Sequence, residues 1–322
     1  VIVIGRLNTI QIHLQHWLEF IGKDVKLKEL DRLDCDQYFN HRQKQQKAAS
    51  RVTIQNEQST INACIRWLYK RGETNIDAFE FPKLPKADGN NEQIRRATFS
   101  SDEYYRLVRA MQSYVAKRQK GLEEEERIIR QIVRHYILIA ANSGLRVGEQ
   151  LQLRWSDVKL VDYNRNGSNE RLAEIRVRAE TSKVRKSRKL LCRWGQYFER
   201  LREVVEKNDR DGLIFSTDGE NIISRRSLYY HFDALLELAE IEDAKARGLV
   251  PYSLRHFMIT QRIMSGLTFR QIADMCGTSV AQIEQTYYHV NDEIRLTNAV
   301  ADFRRLADGT IQPITGNFEG NF

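Results

Sequence analysis

Near the C-terminus, "EQTYYHV" sets Tyr287 and Tyr288 side by side, with His289 next. A phenol is a nucleophile once it loses its proton. Adjacent helical residues sit about 100° apart, so at most one of the pair shares a face with Ile283. Tyr287, four residues after Ile283, is that one. In "SGLRVGEQLQLRW", Arg146 follows the helix stop Gly144-Leu145, and Glu149 lies three residues on. The ordinary reading of such a pair is a surface ion pair at a helix junction, worth well under ~1 kcal/mol. In "PYSLRHF", Arg255 falls in the opening turn of a helix whose apolar face carries Leu254, Phe257 and Met258. A cation there works against the helix dipole, and a nearby anion removes the conflict. "TSKVRKSRK" is most simply a solvated hairpin tip, although a strand-borne lysine beside it can enter a groove.

Several elements must position these residues. From Thr9 to Arg71 the pattern is helix after helix. Ile10, Leu14, Trp17, Leu18 and Ile21 recur at helical spacing before Gly22, and Ile54, Ile61, Ile65 and Leu68 do so before Gly72. The basic run "HRQKQQKAASR" reads as a solvated face. Around "FPKLPKADGNNEQIRRATFS" the pattern lapses, because Pro82 and Pro85 block helix and Gly89 to Asn91 supply turn chemistry. This predicts a helical domain over 1–82 and a linker over 83–97. Its basic residues, Lys83, Lys86, Arg95 and Arg96, suit a connector that follows a phosphate backbone, although plain linkers share the composition.

A second block, 98–307, opens with Ser100 or Ser101 capping a helix that carries Asp102 and Glu103 in its first turn. "RIIRQIVRHYILIAANSG" places Ile128, Ile132 and Tyr136 on one stripe and Ile129, Val133 and Ile137 beside it, a buried helix ending at Gly144. "RLAEIRVRAETSKVRKSRKLLC" then alternates Ile175, Val177 and Ala179 with charged residues, which predicts a hairpin or a three-stranded sheet. Further helices follow through "SVAQIEQTYYHV". The amphipathic "DEIRLTNAVADFRRLA" precedes a Gly/Asn-rich tail, 308–322, expected to be mobile. The fold class is therefore mainly α with a small antiparallel β-sheet.

Composition bounds the function. The 322 residues allow two domains with separate cores, and 41% hydrophobic content is ordinary for globular protein. No apolar run approaches bilayer-spanning length, and "VIVIG" is too short for a signal peptide, so a cytosolic location is expected. The first residue is Val rather than Met, which fits a chain trimmed at its start, with an amino-terminal arm lost. Four dispersed cysteines form no CxxC pair and no metal-ligand spacing, so free thiols and no metal site are expected. A net charge of +8 and a pI near 9.3 favour a polyanionic partner.

The order of these features along the chain is more specific than any one of them. Arg within "GLRVGE", lysine on a hairpin, "YSLRH", "CGTS" and Tyr within "QTYYHV" together resemble the tyrosine recombinase, or phage-type integrase, family. The resemblance covers about Thr98 to Val290, and the first block resembles the helical core-binding domain that precedes it. It implies that Arg146 and Arg255 are the two catalytic arginines and that Glu149 supports the first. Tyr287 matches the nucleophile, two residues before His289 and nine after Thr278. Lys183 best matches the hairpin general acid, with Lys186 and Lys189 close enough to compete. At two positions the chain departs from the commonest pattern, with Tyr252 where the family usually has histidine and Thr278 where it has histidine or tryptophan. Both keep a hydroxyl able to donate to phosphate. Tyr252 lacks the group titrating near neutrality that a general base needs. His256, next to Arg255, is an available imidazole, read as packed or supporting.

What the resemblance implies is site-specific recombination of double-stranded DNA. Tyr287 attacks phosphorus to give a covalent 3′-phosphotyrosine, with no metal, ATP or other cofactor. Two permanently charged guanidiniums neutralise the phosphate oxygens. It also implies a C-shaped clamp on the duplex and a homotetramer on DNA, monomeric when free and nucleoid-associated when acting, with room for accessory DNA-bending proteins. Two alternatives remain open: a catalytically altered DNA-binding protein of the same fold, and a type IB topoisomerase-like relaxase.

Overall fold

A computed structural model describes residues 4–22, 24–45, 48–83, 97–116, 121–165, 168–182, 184–205, 208–287, 303–305 and 311–313. The chain divides into two compact units, Val1–Asn91 and Glu92–Phe322. The division falls inside 83–97.

The first unit holds α1 (Ile4–Ile21), α2 (Tyr38–Lys44) and α3 (Arg51–Tyr69). Trp17, Tyr38, Ile54, Ile61 and Ile65 form its core with Phe79. Ser50 caps α3 by accepting from the Thr53 amide. One residue of the basic run departs from the expected solvated face. Arg42 turns inward and meets the buried Glu57 with Nε at 2.9 Å and Nη2 at 2.8 Å, while the Tyr38 hydroxyl donates to the same carboxylate at 2.9 Å. Burial pushes the Glu57 carboxyl up, but the hydrogen bonds from Arg42 and Tyr38 outweigh it and hold the group below the usual carboxylate range. A buried carboxylate needs such a partner, and this demand, invisible in a charge run, selects Arg42.

The second unit begins with α4 (Ser101–Tyr114), closed by a reciprocal cap between Ser100 and Glu103. Its spine is α5 (Glu124–Ser143), which buries Ile132, Val133, Tyr136 and Ile137 and ends on left-handed Gly144. There follow α6 (Val147–Leu151) and the antiparallel sheet of β1 (Val158–Arg165), β2 (Ser168–Val177) and β3 (Arg188–Cys192), in that order. Val158 pairs with Ile175, and Ile175 with Leu190. The alternation that predicts β2 ends at Val177, leaving Ala179 in the turn beyond. α7 (Gln196–Val204) and α8 (Arg225–Leu238) complete the main core with α5.

Three helices make a separate small core: α9 (Ser253–Met264), α10 (Phe269–Cys276) and α11 (Val280–Tyr287). Met258, Ile259, Ile272, Cys276, Ile283 and Tyr287 meet there. A last pair, β4 (Phe303–Arg305) and β5 (Ile311–Pro313), is antiparallel, with Arg305 opposite Ile311. The expected tail, 308–322, contains β5, and its other residues lie outside the described residues.

Candidate active site

The site is organised by the C-terminal end of α10. A helix leaves its last carbonyls without intrahelical partners, and its C-terminus carries partial negative charge. Here three successive carbonyls each accept from a different arginine. Met275 O accepts from Arg188 Nε at 3.3 Å, Cys276 O from Arg255 Nη2 at 2.9 Å, and Gly277 O from Arg146 Nη2 at 2.7 Å. Gly277 is left-handed, with φ 60°, and a Cβ there would lie 2.7 Å from the Arg188 guanidinium, so a side chain would strain the cap and displace that guanidinium. Arg255 also donates to Gly144 O at the C-cap of α5. The conflict between Arg255 and the start of its own helix is thus relieved by the negative ends of two others.

Glu149 binds the arginines to each other. Its side chain is 1% exposed, and it accepts from Arg146 Nη1 at 2.8 Å, Arg188 Nη1 at 3.1 Å and Nη2 at 2.7 Å, and the Arg146 amide at 3.1 Å. Burial alone pushes its carboxyl up; the hydrogen bonds and charges of Arg188 and Arg146 prevail and hold it below the usual range. The surface ion pair read from "GLRVGE" is instead a buried cluster of two guanidiniums on one carboxylate. Arg188, on β3, is the residue that sequence reasoning passed over. The only signal for it was the basic run 183–189, in which it stands beside Lys183, Arg185, Lys186 and Lys189 with nothing to mark it out.

Arg146, Tyr252, Arg255, His256, Thr278 and Tyr287 line one cavity of about 170 Å³, with Gln282 and Thr286 of α11 also on its wall. Tyr287 is 4% exposed and stands one turn after buried Ile283, the face its spacing predicts. Its hydroxyl is hydrogen-bonded to His256 Nδ1. Tyr252 packs edge-on against the His256 ring, with centroids 5.1 Å apart. The other candidates fall elsewhere. Lys186 is exposed, and Lys189 points outward to Glu174 at 3.0 Å. Lys83 is exposed in the first unit. Lys183, His289, Lys86, Arg95 and Arg96 lie outside the described residues. A larger cavity, about 970 Å³ between the sheet and α7, contains none of the candidates. Among the described residues no cluster of His, Cys, Asp or Glu could hold a metal ion, and no helix is long and apolar enough to cross a membrane.

Comparison with known proteins decides the family. The model of the phage integrase family matches residues 98–293. The chain belongs to that family. Its members are the tyrosine recombinases, and the mainly helical fold with a small three-stranded antiparallel sheet is theirs. No curated protein sequence matches. Among solved structures, the XerH site-specific recombinase bound to palindromic difH substrate, in a post-cleavage complex, aligns with a TM-score of 0.65 at 16% identity. The alignment covers 91% of this chain and 79% of that one. The Tn1549 transposon integrase in complex with transposon right end DNA aligns with a TM-score of 0.60 at 13% identity, over 90% and 93% of the two chains. At such identities the likeness is one of fold.

Proposed function

We propose that this phage integrase family member is a site-specific recombinase of double-stranded DNA, working through a covalent 3′-phosphotyrosine on Tyr287. The observation that carries the reading is the convergence of Arg146, Arg255 and the Tyr287 phenol on one cavity. A phosphodiester is an anion whose non-bridging oxygens gain charge as a nucleophile attacks. Each guanidinium has five donors, and the protein contacts above engage two on Arg146 and two on Arg255. The carbonyls and Glu149 fix the two planes without consuming the capacity to hold phosphate oxygens. Tyr252 and Thr278 add hydroxyl donors on the same wall. The Tyr287 oxygen forms a bond to phosphorus as the bond to the 5′-oxygen breaks, and Lys183 of the hairpin protonates the departing oxygen. The phosphodiester bond energy is kept in the phosphotyrosine, so a second 5′-hydroxyl can reverse the step. XerH is itself a site-specific recombinase and the Tn1549 protein an integrase, which supports the same reading here.

The test uses nicked suicide duplexes tiled across the DNA that flanks the gene, because an integrase commonly lies beside its attachment site. Wild-type protein becomes covalently attached to one strand. Tyr287→Phe forms no adduct, and Tyr288→Phe forms it normally. An adduct in Tyr287→Phe overturns the assignment. Tyr252 and Thr278 favour one other reading, a DNA-binding protein that keeps the fold without strand exchange. Specific retention of a flanking duplex with no adduct in wild type would select it.

A further inference from the structure

Resting on the recombinase reading, we propose that His256 is a catalytic residue, the base that takes the proton of Tyr287 during cleavage and returns it during rejoining. The family resemblance puts a histidine at position 252, and this chain has tyrosine there. A phenol keeps its own proton near neutrality, and its oxygen is too weakly basic to take a second one. The imidazole enters the cavity from one helical turn further along α9. His256 Nδ1 is hydrogen-bonded to the Tyr287 hydroxyl, and the two ring centroids are 5.7 Å apart at 43°. Tyr252, at i−4, lies on the same helix face and closes on the imidazole edge-on at 77°, so it fixes the ring plane. His256 is 5% exposed. Its position directly after Arg255 is what makes this possible. Adjacent residues on α9 diverge by about 100°, so one side chain reaches the carbonyls of Gly144 and Cys276 while the next reaches α11.

In this scheme the resting imidazole carries its proton on Nε2, and Nδ1 accepts from the phenol. As the Tyr287 oxygen bonds to phosphorus, its proton passes to Nδ1. The bond between phosphorus and the 5′-oxygen breaks, its electron pair goes to that oxygen, and the oxygen takes a proton from the hairpin lysine. In the reverse step a 5′-hydroxyl attacks phosphorus, its proton returns to the lysine, and the imidazolium gives its proton back to the departing phenolate. Over the cycle no proton is gained or lost.

The experiment is single-turnover cleavage of the nicked flanking-DNA duplex that gives the wild-type adduct, using the full chain. His256→Asn keeps an oxygen acceptor near the Nδ1 position but cannot hold the proton. It is expected to bind the duplex with unchanged Kd and to cleave roughly 100-fold more slowly, the lower end of general-base contributions. Replacing Tyr287 with a fluorinated tyrosine, whose phenol ionises more readily, restores most of the rate in His256→Asn and changes wild type little. His256→Gln, carried through the same comparison, provides a second variant should the asparagine fold poorly. Cleavage at the wild-type rate in either variant overturns the proposal. So does a slow variant that fluorotyrosine does not rescue, the mark of a histidine that only positions the phenol. A wild-type chain that forms no adduct with any flanking duplex overturns the recombinase reading itself and the proposal with it, whereas a wild-type adduct with insensitivity to His256 overturns the proposal alone.

Discussion

Arg255 shows how a single residue can be destabilising for its own element and necessary to the site. At the start of α9 it faces the positive end of that helix, yet it is buried and donates to the carbonyl ends of α5 and α10. Lysine cannot reproduce this, because a single ammonium lacks the planar fork that meets the two carbonyls at once. Arg146→Ala and Arg255→Ala should each slow single-turnover cleavage by roughly 100- to 1,000-fold, the cost of removing one transition-state donor. Duplex affinity measured in parallel should fall far less, since many backbone contacts set it. Equal losses in cleavage and affinity would point instead to a binding role. That Arg146, Arg255 and Tyr287 belong together was legible in the sequence, because each sits in a short motif and the order of the motifs is distinctive, and the three line one cavity. The contact between His256 and Tyr287 was not, because the residues are 31 apart and meet only when α9 packs on α11.

At the scale of elements, the C-terminus of α10 does for three arginines what a metal-binding loop does for an ion. It offers consecutive carbonyls, and the glycine cap lets a guanidinium approach. Arg188 connects this end to α6 through Glu149, so β3 is tied to the arginine it does not carry. Arg188→Ala should cost about 2 kcal/mol of stability, the order of a charged hydrogen-bond pair, and should slow cleavage while Arg188→Lys recovers only part of it. Glu149 gives the pH dependence. Its pKa is depressed in the fold, so its stabilisation is present above the ordinary carboxylate pKa and is lost as pH falls through the depressed value. Without Arg188 the depression is smaller, and the acid unfolding midpoint, followed by circular dichroism, should move to higher pH. An unchanged midpoint would mean that Arg146 alone holds the carboxylate. Helix caps and strand alternation made α4, α5 and β2 readable because those signals are local. Arg188 was unreadable because five basic residues between 183 and 189 look alike until the tertiary fold turns one of them inward.

For the whole molecule the question is whether cutting leads to exchange. Each unit has its own core, and the division between them falls where the helical pattern lapses, between Pro82 and Thr98, a stretch of prolines and polar turns through which a core is not continued. A net charge of +8 supplies attraction to a duplex whatever its sequence. Neither property distinguishes a recombinase from a relaxase, because both cut one strand and reseal it through the same phosphotyrosine. The difference lies in stoichiometry. Exchange requires that the 5′-hydroxyl attacking Tyr287's phosphate come from another duplex, and such a hydroxyl is at useful concentration only if both duplexes are held in one assembly. Two flanking duplexes carrying different fluorophores should therefore sediment together with wild-type protein, at a mass consistent with four chains, and should separate as salt is raised because phosphate contacts weaken. Tyr287→Phe should assemble the same complex, since assembly precedes chemistry. One chain per duplex at every protein concentration, with the adduct still forming, would identify a relaxase.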